Sequence, residues 1–298
     1  MTVAASALPA AEIPSPDSPG FLGRDRSAPV DPAEIGAESP HYSVPQGISL
    51  VIPAYNEEHR LRPTLLSYLP VLQSLRVPFE VIVSVSGEDR TWDIVEEFAG
   101  QGVRGVRSRT RMGKGRAILE GFRQAKLPIV ALADADGSVP GYEVGRLLRM
   151  ALDEPQVVVA SRRLDRSRVE VGEPLPKKLA SDVWHAMVKV LLNLPVRDAE
   201  CGFKVYTRDL AQMALRDIVV TNWVFDLDLL YHAKEYGAKI TEVAVDYKYD
   251  YRSKMRLARA VGPMFLTLWG IFLVNRTGLR RYLPMGLMLK LHGRFGAH

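Results

Sequence analysis

From Gly47 onward the chain alternates short β-branched runs with stretches of helical periodicity, and this alternation limits the fold more than any other feature. Runs at Ser49–Ala54, Phe79–Ser84, Val103–Arg107, Ile129–Ala133 and Val157–Ser161 read as strands. Apolar residues at three- and four-residue spacing mark helices over about Glu57–Leu69, Thr91–Ala99, Gly115–Lys126, Gly141–Leu152 and Leu179–Leu194. Strand and helix taken in turn predict an α/β fold built on a mostly parallel sheet. Ligands of such sheets bind beyond the carboxyl ends of the strands, so each strand exit is a place to look for chemistry.

The first strand leaves through "VIPAYNEE". Pro53 is expected to end it and Asn56 to cap a helix, with Glu57 and Glu58 at that helix's positive end. These duties leave Tyr55 unexplained. The third strand leads into "RTRMGKGRAILEGF", where Gly113 and Gly115 flank Lys114 ahead of an amphipathic helix. That is an anion cradle holding a cation. It has neither the spacing of a nucleotide-binding G-x-x-x-x-G-K-[ST] loop nor that of a G-x-G-x-x-G turn.

The fourth strand ends in "VALADADGSV", residues 130–139, which places Asp134 and Asp136 one residue apart. Carboxylates at that spacing on extended chain point the same way. They repel unless a cation or a shared proton lies between them. Beside a phosphate cradle, the pair suits Mg²⁺ or Mn²⁺, which takes few carboxylates and fills its shell with water and phosphate oxygens. A surface D-G turn accounts for Asp136 and Gly137 but not for an acid at the end of a buried strand. Further exits are "VVVASRRL", with Arg162 and Arg163, and the cation-bearing turn Cys201-Gly202-Phe203-Lys204. Asp226 and Asp228 follow in "NWVFDLDLLYHA", where the first turn of a helix also explains them.

Composition bears on where the protein works. Residues 1–45 hold eight of the 20 prolines and few large apolar residues, so they are expected to be disordered. One cysteine, Cys201, allows neither a disulfide framework nor a zinc site, and it suits a reducing compartment. The opening "MTVAASALPAAEIPSPDSP" lacks the charged and apolar regions of a secretory signal. The net charge of +5 is uneven. Residues 251–298 carry nine Lys or Arg and no acid, which leaves thirty cations against thirty-four anions before them. Those cations bracket the apolar "AVGPMFLTLWGIFLVN", too short to span a bilayer and holding Pro263. Such bracketing suits an anionic lipid surface better than nucleic acid, and the tail reads as amphipathic interfacial helices on the cytoplasmic face of a membrane. A C-terminal helix buried in the core is the plainer reading.

The motifs "VIPAYNEE", "GKG", "DADG", "ASR", "CGFK", "WVFDLDLL" and Ser253-Lys254 run in one order over about residues 47–260. In that order they resemble the inverting family 2 glycosyltransferases of the GT-A fold, a Rossmann-like architecture. Within them the chain is most similar to the dolichyl- or polyprenyl-phosphate sugar synthases. The resemblance implies a transferase domain over residues 46–250 and a hexose donor of the UDP-glucose or GDP-mannose type. It also implies a polyprenyl phosphate acceptor, a Mg²⁺ or Mn²⁺ cofactor, and no nucleic-acid partner. It sets Pro53, Ala54, Tyr55, Glu57, Ser86, Lys114, Asp134 and Ala135 around the nucleotide, and Asp136, with Asp134, at the metal. Arg162 would neutralise phosphate, while Lys204, Lys248, Arg252 and Lys254 would face the acceptor and the phosphates. Lys248 stands where the mannosyl synthases have Arg, which keeps the charge without the two-pronged fork. Two departures bear on the base. Ser86-Gly87-Glu88-Asp89 replaces the usual Asp-Asp-Gly-Ser, so Glu88 or Asp89 reaches in from a shifted loop or the base is read differently. Arg111 takes the usual Asn position.

A phosphate acceptor has its second pKa near ~6, so it is already a nucleophile at neutral pH and needs cations more than a base. A hydroxyl acceptor on a soluble natural product or glycan would need a base, with Asp226 or Asp228 as candidates. "ALADADGSV" also fits the D-x-D-G-[ST] strand end of haloacid-dehalogenase-like phosphatases. Their nucleophile lies near the start of the domain and is followed by a G-D-x-x-x-D pair, and this chain has neither feature.

Overall fold

The computed structural model describes residues 11–12, 47–108, 110–169, 175–218, 222, 224–248 and 257–277. Eight strands form one sheet: β1 (Ala11–Glu12), β2 (Ile48–Tyr55), β3 (Phe79–Ser86), β4 (Val103–Arg107), β5 (Ile129–Ala133), β6 (Val157–Ser161), β8 (Phe203–Thr207) and β9 (Ile240–Ala244). A separate parallel pair joins β7 (Arg168–Val169) to β10 (Asp246–Tyr247). The described helices are α1 (Leu61–Ser74), α2 (Thr91–Glu97), α3 (Lys114–Gln124), α4 (Gly141–Asp153), α5 (Leu175–Leu192), α6 (Arg208–Asp217), α7 (Phe225–Glu235) and α8 (Leu257–Thr277).

The sheet order is β1-β4-β3-β2-β5-β8-β6-β9. All neighbours are parallel except β8, which runs antiparallel to both β5 and β6. Because β8 is reversed, its first residues lie beside the last residues of β5: Phe203 pairs with Ala133. The Cys201–Lys204 turn therefore arrives at the edge where β5 releases Asp134.

Period-two alternation sorts the strand residues into two cores. Ile48, Leu50 and Ile52 pack with Leu65, Tyr68 and Leu72 of α1 and with Leu147 and Leu148 of α4. Val51, Val130, Leu132 and Val159 face the other way, onto Ile118 and Phe122 of α3 and Leu227 and Leu230 of α7. Each fully buried Leu or Ile contributes roughly 1.5–3 kcal/mol, so the central strands fix the frame on which the loops are hung.

β4, β5 and β6 occupy the ranges read from sequence, whereas several neighbouring boundaries shift for identifiable reasons. Pro53 does not end β2. The β2–β5 pairing stops at Val51, so Pro53 has a strand neighbour only in β3, and at such an edge its missing N–H is tolerated. Asn56 does not cap α1. It takes a left-handed conformation (φ 54°), and its side-chain oxygen accepts from the Glu88 N–H at 3.1 Å, so the helix starts only at Leu61. α1 then continues through Pro70 to Ser74, because burial of Leu69 and Leu72 holds the turn that proline weakens. In the Pro-rich N-terminal segment, Ala11–Glu12 lies alongside Val106–Arg107 of β4 as a short edge strand.

α8 is longer than its apolar block, and it is buried on one side only. Leu268, Ile271 and Val274 enter the second core, while Phe265, Leu266, Trp269 and Leu273 are exposed. Phe272 is half-buried and turns toward the core. Among the described residues, no helix is long and apolar enough to cross a membrane.

Candidate active site

β2, β3, β5 and β6, the starts of α3, β8 and α7, and the end of β10 deliver charged or polar residues to one edge of the sheet. At its centre is Asp134. Its N–H donates to the Gly202 carbonyl at 3.1 Å, and its Oδ1 accepts from Lys114 Nζ at 2.7 Å. A Cβ on Gly202 would lie 2.2 Å from Asp134 Oδ2, so only glycine lets the 201–204 turn close against this carboxylate. Two residues on, Asp136 Oδ1 accepts from the Ser138 N–H at 3.0 Å. The turn between them needs Gly137, whose φ is +65°. It is held from below by Thr64, which donates to the Ala135 carbonyl at 2.9 Å, and by Tyr68, which donates to the Val139 carbonyl at 2.9 Å.

The electrostatics show how crowded the charges are. Burial, and then the neighbouring Asp134 charge, raise the Asp136 pKa from its ordinary value. Burial and then Asp136 likewise push the Tyr68 phenol far up. Burial opposes the Lys114 ammonium, yet the charges of Asp134 and Asp226 hold its pKa above the usual lysine value. Asp134 and Asp136 are both partly exposed. Hard oxygen donors at a strand end, one of them short of countercharge, fit a divalent ion that takes its remaining ligands from a diphosphate. Among the described residues, no cluster of three or more His, Cys, Asp or Glu could hold a metal by itself.

On the β2–β3 side, Tyr55 lies under the Arg111 guanidinium, 4.6 Å from ring centre to Cζ. Pro53, Ala54 and Ser86 line the ends of these two strands, Pro53 partly exposed and the other two buried. Glu57 is bound at two points by Arg60, both contacts at 2.5 Å, and its N–H donates to Thr91 Oγ1 at 2.7 Å. Both oxygens of Asp89 are engaged by the neighbouring loops. One of its oxygens accepts from the Thr91 N–H and hydroxyl, and the other accepts from the Glu58 N–H. The Glu88 side chain is exposed.

On the β6–β8 side, four charges that the sequence assigned to the site, Arg162, Lys204, Asp226 and Asp228, meet partners within the protein. Arg162 Nε and Nη2 bridge both oxygens of Asp198 at 2.7 and 2.8 Å, and the Arg162 N–H adds a third bond at 2.9 Å. Asp198 is fully buried. Burial alone would raise its pKa, but the Arg162 hydrogen bonds and charge push it far below the carboxylate range. Lys204, expected to face the cleft, is fully buried instead. It sits on an interior strand between β5 and β6, and its Nζ donates to the Cys201 carbonyl at 2.8 Å and pairs with Asp226 Oδ2 at 3.1 Å. Asp228 is also fully buried, and its Oδ1 lies 3.4 Å from His232 Nε2 one helical turn on. Burial pushes the Cys201 thiol up to about 12, so it acts as a packed core residue.

Lys248 reaches the site through its backbone. Its N–H donates to the Ser138 carbonyl at 2.8 Å, and the preceding Tyr247 stacks on Arg162 at 5.2 Å. Tyr142 fastens the same segment by donating to Asp246 Oδ2 at 2.6 Å. Arg252 and Lys254 lie outside the described residues. Asp198, Arg60 and Tyr247 carry no local signal in the sequence. Their only mark was indirect, since a buried arginine or glutamate requires an opposite charge somewhere in the chain.

Residues 49–213 match the glycosyl transferase family 2. The chain belongs to that family. A dolichyl-phosphate beta-glucosyltransferase of Trichomonas vaginalis is 30% identical over 224 residues, covering 71% of this chain and 68% of that protein. The Homo sapiens dolichyl-phosphate beta-glucosyltransferase is 30% identical over 67% of both chains. Among solved structures, glucosyl-3-phosphoglycerate synthase of Mycobacterium tuberculosis, with Mn²⁺, UDP-glucose and phosphoglyceric acid, superposes with a TM-score of 0.55. It is 20% identical, over 76% of this chain and 79% of that one, which establishes that the glycosyltransferase has the GT-A fold.

Proposed function

We propose that this glycosyltransferase moves a hexose, with inversion, from a nucleoside-diphosphate sugar to a polyprenyl phosphate at a membrane surface. The observation that carries the reading is the match to dolichyl-phosphate beta-glucosyltransferases over two thirds of each chain. Those names favour glucose, and hence a UDP-glucose donor, over mannose.

The chemistry follows from the residues at the strand ends. An acceptor phosphate oxygen attacks the anomeric carbon opposite the leaving group. The new carbon–oxygen bond forms as the bond to the diphosphate breaks, and the nucleoside diphosphate departs with the electron pair. No proton has to be removed from a dianionic phosphate. This agrees with the burial of both candidate bases, Asp226 held by Lys204 and Asp228 beside His232. A divalent ion held by Asp136, with Asp134 beside it, would supply positive charge to the leaving diphosphate. Lys114 brings positive charge from the protein to Asp134, and the Lys248 backbone N–H fastens the same turn through the Ser138 carbonyl. Pro53, Ala54, Tyr55 and Ser86 form the wall for the nucleotide base and ribose. Arg162, bound at two points by Asp198, serves to fix the acceptor side in place.

For the membrane, α8 supplies the surface. Phe265, Leu266, Trp269 and Leu273 are exposed on one side of a helix whose other side is in the core. The surrounding tail carries nine cations without an acid, which suits anionic lipid. A donor screen with Mg²⁺ tests the whole reading. UDP release from UDP-glucose that depends on added polyprenyl phosphate is the expected result. Release supported only by a soluble acceptor would refute the lipid assignment.

A further inference from the structure

Arg162 follows β6, on the side of β5 away from β2 and β3, and its guanidinium is held from two directions. Asp198 takes the Nε–Nη2 edge at 2.7 and 2.8 Å. Tyr247 covers one face, with its ring centre 5.2 Å from Cζ. Among the described residues Nη1 meets no partner, and the side chain remains 26% exposed. A planar fork docked along one edge presents its other edge, Nη1 and the outer hydrogen of Nη2, in a fixed direction. That direction depends on where Asp198 is held.

Asp198 lies between α5 and β8, in a segment that pairs with no strand. Leu194 and Val196 anchor this segment in the second core. The N–H groups of Arg197 and Asp198 then both donate to Glu242 Oε1, at 2.9 and 2.8 Å. Glu242 stands on β9, in register with Val159 of β6. The same strand pair thus carries the arginine and the carboxylate that fixes the arginine's partner. We propose that Glu242 is a positioning residue for the transfer. It holds the Asp198 peptide, and Asp198 in turn aims the open edge of Arg162 at the acceptor phosphate. The inference rests on the polyprenyl-phosphate reading above and extends it to how the phosphate-binding fork is oriented. A buried ion pair is weak evidence for stability, whereas a fork that must meet two phosphate oxygens works only in one orientation.

The test is steady-state kinetics of the full chain with UDP-glucose, Mg²⁺ and a polyprenyl phosphate, with thermal melting as the check on folding. Glu242→Ala should raise the acceptor KM ~10-fold, because a misaimed fork loses its contact, while kcat and the UDP-glucose KM stay within about two-fold. Glu242→Gln keeps an oxygen that accepts both N–H groups, so it should restore the acceptor KM. Arg162→Lys keeps the charge and lacks the fork, so adding Glu242→Ala to it should change the acceptor KM little further. An unchanged acceptor KM in Glu242→Ala overturns the inference, as does a Glu242→Gln variant no better than Glu242→Ala. A loss spread over kcat and both KM values, or an equal Glu242→Ala effect in both backgrounds, makes Glu242 a clamp for the loop and overturns it too. Wild-type protein that releases no UDP in response to polyprenyl phosphate overturns the lipid-acceptor reading together with the inference.

Discussion

The half of the site built on β2, β3 and β5 and the half built on β6, β8 and α7 use the same residue types in opposite ways. In the first, Asp134 and Asp136 stand partly exposed at the end of a fully buried strand, braced by Thr64 and Tyr68 from α1. In the second, Lys204, Asp198 and Asp228 are wholly buried: Lys204 pairs with Asp226, Asp198 with Arg162, and Asp228 lies beside His232. A charge near the open edge can hold a ligand. A charge drawn inward becomes part of the frame, because leaving water is tolerable only with a partner in hand. The β2–β3–β5 half therefore presents its chemistry, while the β6–β8–α7 half uses much of its charge to hold its own loops.

Removing one inward charge should break that contrast most sharply. Lys204→Met strands Asp226 in the interior, and loss of one member of a buried pair costs about 3–5 kcal/mol. Chemical denaturation should register a loss of that order. A melting curve matching wild type would mean that Lys204 is solvated and belongs to the cleft after all. At the presenting edge the expectation is reversed. Asp136→Asn removes one charge and keeps the volume, so stability should hold while sugar transfer falls by at least ~10²-fold. Retention of activity within a few-fold would take Asp136 out of the metal site.

The same contrast explains what could be read from the sequence. Val103–Arg107, Ile129–Ala133 and Val157–Ser161 were legible to the residue because short buried runs bounded by turn formers specify a strand locally. Asp134, Asp136 and Tyr55 were legible as strand-end residues because they close such strands or follow them, and Lys114 as the start of the helix after β4. The partners of the inward charges were not. Asp198 lies 36 positions from Arg162, and nothing local to it foretells the contact. The start of α1 was misread because the Asn56 side chain had a better use 32 residues away, on the Glu88 N–H. Local pattern locates what faces out, and long-range electrostatics decides what turns in.

A third region, α8, has both behaviours on one helix. A polar residue in place of Leu268, Ile271 or Val274 on its buried side should cost stability, while its exposed side should accept one without loss of fold. Leu266→Ser with Trp269→Ser should leave the melting temperature within a few degrees of wild type and reduce pelleting with phosphatidylglycerol vesicles by ~10-fold or more. Unchanged pelleting would assign membrane contact to the basic tail alone or remove it altogether.

The smallest expected effect probes the rim of the inward half. His185 on α5 donates through Nδ1 to the Ser181 carbonyl at 2.6 Å and turns Nε2 toward Asp198 Oδ1 at 3.7 Å. Burial disfavours its charged form, but the approach of the Asp198 carboxylate and the Nδ1 bond to the Ser181 carbonyl outweigh both burial and the nearby Arg163 and leave its pKa raised. Glu200 is the other titrating group there, raised chiefly by burial. A histidine whose folded pKa exceeds its unfolded value of ~6.5 adds stability that is fully present below that value. That stability is lost as pH rises through the folded pKa. Wild type should therefore lose melting temperature between pH 6 and pH 8.5 relative to His185→Gln, by a few degrees for a contribution of about 1 kcal/mol. Parallel pH profiles for the two proteins would show that Arg162 alone compensates Asp198, and that the inward half is closed by a single ion pair.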